Sequence, residues 1–378
     1  MKTRNIKYLI WGYYGFGNLG DELMLKVIIK RIREVHPFSL IYVVCKNLPK
    51  VNGIFQIGIK KKPGEFLFIS RIKYLGRLFI AVLGADKLVI GGGTLFIDSG
   101  KHNPAMLMLC VVSYLRSVFS KKIYVVGVGI DKITCSINVW YLKYIIKKSE
   151  FTSVRDNFSF NAASVLVGKA GVIKTADILF DNGFVKSFLP YTGYGKKYIA
   201  LALFDYGRIC GGARDGVLFR EQSLNLIVDV LNKWGHEYIL VLCAFQGKEG
   251  GCDYEFLDGL NNSILAEHPT FVGRIIVKYL SEEEEVGEYI GRAIFTISNR
   301  YHALVFSAIL GVPFVGIQVE MKISEICNEF SMPFVKRNEY AERGISISEL
   351  GRIKEMTVDG EKVSQNIREA EGNFIWIK

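Results

Sequence analysis

The sequence predicts an α/β fold, with two Rossmann-like domains facing one another across a cleft. Three observations support this. Short β-branched runs alternate with longer helical patterns almost throughout the 378 residues, as parallel sheets flanked by helices require. Glycine-rich turns follow several of those runs, where such sheets admit ligands to the backbone. One turn-rich stretch, 181–197, has three glycines and one of the eight prolines, and it divides the alternation into two series. The expected domains are therefore 1–180 and 198–378, joined by a linker at 181–197. Half of the residues are apolar, which argues against extensive disorder.

The first series of strands is expected at Lys7–Trp11, Leu40–Val44, Lys87–Ile90, Ile123–Val126 and Phe151–Val154. Helical periods lie between them at Glu22–Val35, Phe66–Val82, Ala105–Phe119 and Ile137–Lys148. The second series runs Tyr198–Leu203, Tyr238–Leu242, Ile275–Val277, Ala293–Ile297 and Pro313–Ile317. Its helices are expected at Arg220–Lys233, Glu282–Arg292 and His302–Leu310. The acidic run Glu282–Glu285 suits a helix start, where carboxylates complement the dipole.

The first turn reads GYYGFGNLGDE over Gly12–Glu22 and contains a formal G-x-G-x-x-G at Gly15, Gly17 and Gly20. A dinucleotide site would also need an acid after the second strand. That strand ends in Cys45-Lys46, and Asp21 and Glu22 would repel a pyrophosphate. Two readings remain: a tight strand-to-helix turn capped by Asp21, or a cleft wall offering Asn18, Asp21 and Glu22 to sugar hydroxyls. Gly91-Gly92-Gly93-Thr94 and Gly127-Val128-Gly129 repeat the theme after later strands. In the second series, Arg300 and His302 stand where a strand gives way to an apolar helix. A cation beside a helix N-terminus makes an anion site. Lys322 follows the end of the next strand and is expected at the same cleft.

Lys and Arg exceed Asp and Glu by 48 to 37, a net of +11. Residues 1–80 hold 15 of the cations and 4 of the acids, so they carry the whole excess. That points to an anionic partner. The seven cysteines have no C-x-x-C spacing, and the five histidines show no ligand spacing with them. Free thiols in a reducing compartment are expected, and no metal site. No apolar run is long enough to span a bilayer, and the N-terminus lacks a signal-peptide pattern. The expected location is cytoplasmic.

Taken together, these motifs resemble the polysaccharide pyruvyl transferase family. The matching pieces are GYYGFGNLGDE (12–22), GGGTLF (91–96), VGVGI (126–130), SVRD (153–156), the AD at 176–177, AFQ (244–246) with Asp253, and RYHALVFSAILGVPFVGI (300–317). They run in order across nearly the whole chain. The sequence departs from the family pattern at Tyr301, at IALALFDY (199–206) and at QVEMKI (318–323). The resemblance implies a GT-B-like pair of domains, an acceptor side in 1–180 and a donor side in 198–378. It implies transfer of pyruvyl from phosphoenolpyruvate to saccharide hydroxyls, with no further cofactor. Catalytic positions map onto His302, Arg155 and Lys322. Donor binding maps onto Arg300, Arg155, Lys322 and His302, and acceptor binding is expected at Asn18, Asp21, Glu22, Gly92 and Gly93.

Phosphoenolpyruvate is small and multiply anionic, so several cations suit it, and Arg matches phosphate or carboxylate by paired hydrogen bonds. His302 is the expected proton donor; hydrogen-bonding the phosphate is its alternative role. Two other functions remain open: a GT-B glycosyltransferase using a nucleotide sugar, and a non-catalytic carbohydrate-binding protein of the same fold. Nucleic acid is not expected as a partner. The basic excess includes Lys60–Lys62, Arg71, Lys73 and Arg77, mixed with aromatics. It reads either as a solvated face or as a surface resting on an anionic membrane that carries a lipid-linked saccharide, peripheral at the inner face of the plasma membrane.

Overall fold

The computed structural model describes residues 5–46, 53–58, 67–98, 100–191, 195–209, 213–247 and 253–377. The chain splits into two compact units. One comprises Met1–Phe16, Asp21–Asn182 and Asn366–Lys378; the other comprises Gly17–Gly20 and Gly183–Gln365. Lys60–Lys62, Cys210 and Cys252 lie outside the described residues.

The first unit follows β1 (Lys7–Tyr14), α1 (Leu19–Val35), β2 (Leu40–Cys45), β3 (Ile54–Ile57), α2 (Leu67–Gly84), β4 (Lys87–Gly91) and β5 (Thr94–Phe96). It continues through α3 (Pro104–Val118), β6 (Lys122–Ile130), α4 (Ser136–Lys148), β7 (Phe151–Val154), α5 (Asn157–Val167) and β8 (Ile173–Lys174). Among the described residues the sheet has eight strands in the order β3-β2-β1-β4-β6-β7-β8, with β5 paired to β6. All pairings are parallel; Ile10, for example, lies opposite Val43 and Val89. The inner strands are near-continuous apolar runs because helices cover such sheets on both faces. Leu78, Val82, Leu109, Leu142 and Ile145 of α2, α3 and α4 share one core with Leu9, Leu88 and Ile123 of the strands.

In the second unit, α6 (Asn182–Val185), where the units meet in sequence, leads to β9 (Tyr198–Ala202), α7 (Tyr206–Ile209), α8 (Ala213–Trp234), β10 (Ile239–Ala244), α9 (Asp253–Glu267) and β11 (Ile275–Tyr279). After these come α10 (Glu283–Tyr289), β12 (Ala293–Ser298), α11 (Tyr301–Ile309), β13 (Phe314–Gln318), α12 (Met321–Glu329) and β14 (Phe334–Lys336). The last helices are α13 (Arg337–Arg343), α14 (Ile347–Lys354) and α15 (Gly360–Ala370), and the first unit's C-terminal segment begins within α15 at Asn366. Six described strands form a parallel sheet in the order β11-β10-β9-β12-β13-β14.

Three boundaries differ from those expected, each for a packing reason. The units divide at Asn182/Gly183, and the chain just after that point is packed. Phe184 and Phe188 are buried and pack against Phe306 of α11. The C-terminal segment belongs to the first unit rather than the second. Asn373, fully buried, accepts hydrogen bonds from Ser153 Oγ and Thr175 Oγ1 (both 2.7 Å) and donates to the Ala176 carbonyl (2.9 Å). Trp376 stacks on Tyr124, and Lys87 Nζ lies over the rings of Tyr8, Tyr124 and Trp376. Finally, Gly17–Gly20 belongs to the second unit, because its backbone finds partners there, as described next.

Candidate functional site

In the second unit, the strand ends of β9, β10 and β12 are tied together by side chains. Asn299, after β12, accepts from the Phe204 amide (2.9 Å) and donates to the Phe204 carbonyl (3.1 Å) beyond β9. Arg300 Nε donates to Asp253 Oδ2 (2.9 Å), Nη2 donates to Asp253 and to Gln246 Oε1 (3.1 Å), and the guanidinium lies 4.3 Å from the centre of the Phe204 ring. Asp253, almost fully buried, also accepts from the Phe245 and Gln246 amides (3.3 and 3.1 Å). Burial pushes its carboxyl above the ordinary value, while Arg300 and the two amides pull it back. Arg300 is thus half-buried and paired with a buried carboxylate. Asp253 entered the sequence reading only as part of a motif, and Asn299 not at all. A polar pair before a cation at a strand end was the one available signal.

The Gly17–Gly20 turn pairs with the loop after β10. Leu19 N donates to Phe245 O (3.0 Å), Gly247 N to Gly17 O (3.2 Å) and Tyr279 Oη to Gly17 O (3.2 Å). Asn18 forms an antiparallel bridge with Gln246. Gly17 has φ +72°, which favours glycine. Gly20 is required for another reason: a Cβ there would lie 2.0 Å from His302 Nδ1. The imidazole, partly buried in the first turn of α11, therefore rests directly on this backbone. Lys322 stands in the first turn of α12 with its Nζ 2.5 Å from Glu320 Oε2. His302, Arg300, Lys322 and Asn18 thus all fall within the second unit.

The first unit holds the other expected residues. Arg155, 3% exposed, follows β7. Its Nη1 donates to Asp177 Oδ2 (3.0 Å) and its Nη2 to Thr94 Oγ1 (2.8 Å). A Cβ at Gly129 would lie 2.8 Å from Nη2, so the Gly127–Gly129 turn makes room for this guanidinium. Gly92 and Gly93 both have φ near +70° (+71° and +72°). A Cβ on Gly93 would meet Asp21 Oδ1 at 2.4 Å, and one on Gly92 would meet the Tyr14 hydroxyl at 2.8 Å. Asp21 is mostly buried, and Glu22 accepts from the Gly15 amide (2.6 Å). Burial, then the Asp21 and Glu22 charges, push the Tyr14 hydroxyl well above its usual pKa, so it stays protonated and donates to the Gly91 carbonyl. The glycine turn, the acids and Tyr14 form one polar cluster at the ends of β1 and β4.

Among the described residues, no three His, Cys, Asp or Glu side chains are grouped to hold a metal ion. Five described cysteines, at 45, 110, 135, 243 and 327, are free thiols.

Two parallel-sheet units with glycine turns and cations at their strand ends define a GT-B-like protein. The overall chain is similar to the UDP-GlcNAc 2-epimerase of Methanocaldococcus jannaschii at 11% identity, covering 97% of this chain and 98% of that one with a TM-score of 0.60. It is also similar to the Neisseria meningitidis UDP-GlcNAc 2-epimerase bound to UDP-GlcNAc (11% identity, 97% and 98% coverage, TM-score 0.56). A third likeness is to HepE from Anabaena in complex with UDP and glucose (10% identity, 99% and 97% coverage, TM-score 0.56). At such identities these likenesses show the fold alone. A comparison with curated proteins found no match. The polysaccharide pyruvyl transferase family model matches residues 18–320, and the chain belongs to that family.

Proposed function

We propose that the protein transfers pyruvyl from phosphoenolpyruvate to two hydroxyls of a saccharide, forming a pyruvate ketal and releasing phosphate. Family membership supports pyruvyl transfer. The observation that carries the chemistry is His302 in the first turn of α11, set against Gly20 and next to the Arg300–Asp253 pair. His302 donates a proton to the methylene carbon of the donor, which makes C2 electrophilic. A hydroxyl attacks C2 and loses its proton to a base, for which Asp21 or Glu22 is the candidate. The C2–O bond to phosphate breaks, the phosphate leaving with the proton held by the base, and the second hydroxyl closes the ketal as its proton returns to His302. Lys322, Arg155, Arg300 and His302 are assigned to donor binding, and the Arg300–Asp253 pair also fixes the turn before α11. Asn18, Asp21, Glu22, Gly92 and Gly93 are assigned to the acceptor. The scheme draws on no metal or cofactor. The acceptor is a polysaccharide or its lipid-linked precursor, met at the inner face of the plasma membrane.

The test is acceptor-dependent release of phosphate from phosphoenolpyruvate, with the ketal read by NMR. His302→Ala is expected to lower turnover by ~10²-fold or more. Near-normal turnover in that variant overturns the role of His302. Release of nucleotide from a nucleotide sugar, with no phosphate from phosphoenolpyruvate, overturns the reaction.

A further inference from the structure

Helices α2, α3 and α4 bury one side in the same core, α3 packs against both neighbours, and each carries a second apolar stripe on its outer side. On α3 the stripe is Leu107, Val111, Tyr114 and Val118, at spacings of four, three and four along the middle helix. All four are exposed, Val118 by 58%. On α2 it is Ile72, Leu75, Phe79 and Ile80, with Ile80 71% exposed. On α4 it is Ile137 and Trp140, the latter 53% exposed and stacked on Tyr144. An apolar face of this extent, outside the core, marks an interaction surface. Its charge identifies the partner. None of the three helices contains an Asp or Glu, whereas they carry seven cations. Arg116 is buried, capping the end of α2 through the Val82 and Ala85 carbonyls. The other six, Arg71, Lys73, Arg77, Lys143, Lys147 and Lys148, are exposed. Exposed apolar stripes with cations and no acid suit an anionic phospholipid surface, where apolar groups enter the headgroup boundary and cations meet phosphates. Among the described residues no helix is long and apolar enough to cross a membrane.

We infer that the outer face of α2, α3 and α4 docks the first unit onto an anionic phospholipid bilayer, lying on the membrane rather than in it. This deepens the membrane partner named above and rests on that reading only for the lipid-linked cargo. The helical cations and stripes replace Lys60–Lys62 as the basis for the contact.

The experiment is flotation of the full chain with phosphatidylcholine–phosphatidylglycerol vesicles against phosphatidylcholine alone. Salt-sensitive binding to the anionic vesicles is expected. Trp140 gives a local readout: of the other three tryptophans, Trp234 and Trp376 are buried and Trp11 is half-buried, so a blue shift on binding that Trp140→Phe removes reports this face. Changing Lys143, Lys147 and Lys148 together to Gln is expected to weaken binding roughly 100-fold. Ile80→Ser with Val118→Ser is expected to abolish the shift; both residues are exposed, so the fold should persist, which circular dichroism checks. Absence of binding, or binding unchanged in both variants, overturns the inference. So does a dimer in solution that Ile80→Ser with Val118→Ser dissociates while vesicles are ignored, which would assign the face to a second copy. Phosphate release with a soluble acceptor is measured in parallel. Vesicle binding without turnover removes the reaction and leaves this surface; turnover without vesicle binding removes only this surface.

Discussion

At the scale of single residues, Gly20 and His302 explain each other. The imidazole occupies the space that a Cβ at position 20 would need. Overpacking of this kind costs about 1–3 kcal/mol. Gly20→Ala should therefore lower stability and displace the His302 ring. The same change in a His302→Ala background should cost little, since the obstacle is gone. Denaturant unfolding of the four proteins in this cycle checks it; equal costs in both backgrounds would show that the turn, not the ring, demands glycine. Arg300 makes a contrasting case. It sits in a pair with a buried carboxylate, and loss of one member of such a pair costs about 3–5 kcal/mol. Arg300→Ala should destabilise the protein by that order. Loss of activity at full stability would leave Arg300 to donor binding alone. The placing of Arg300 and His302 at a strand end before a helix was readable in the sequence. Asp253 was not, because its partner stands 47 residues away and nothing local marks a carboxylate for burial.

At the scale of elements, α4 illustrates a helix start supplied from elsewhere. Its own N-cap, Cys135, makes no side-chain cap. Asp98, after β5, does this instead, accepting from the Cys135 amide (3.0 Å), Asn138 Nδ2 (2.9 Å) and Thr134 Oγ1 (3.0 Å). Burial pushes the Asp98 carboxyl up, but Asn138 and the Gly100, Thr134 and Cys135 amides together outweigh it and hold the pKa well below the usual range. A depressed carboxylate stabilises above its unfolded pKa, near 4. That contribution fades as the pH falls below this value towards the folded pKa. The melting temperature should thus drop on acidification below about pH 4, and Asp98→Ala should lower it at neutral pH while flattening that acid limb. A variant with an unchanged acid limb would show that Asp98 contributes nothing to it. The helical period predicted α2, α3 and α4 correctly. It could not say that one stripe on each helix is buried and the other exposed, because both are built from the same residue types.

At the scale of the whole molecule, the C-terminal segment is the main departure from expectation. Asn373 and Trp376 complete the first unit although they lie about 200 positions from Ser153 and Thr175, at separations of 220 and 198. Trp376→Ala should cost about 3–5 kcal/mol. Removing residues 366–378 should lower the thermal stability of the first unit's sheet much further, read by hydrogen exchange at β1, β4 and β6. Unchanged protection there would show that the segment is dispensable. By itself, the sequence determined the fold class, the alternation of strands and helices, the glycine turns and the family motif. All of these are local, because period and backbone freedom act over a few residues. Tertiary structure alone decided that Phe184 and Phe188 pack on α11, that 366–378 returns to the first unit, that Gly17–Gly20 joins the second, and that Arg300 is paired to Asp253. Each depends on which distant group satisfies a buried polar atom or fills an apolar gap, and no local pattern encodes that choice.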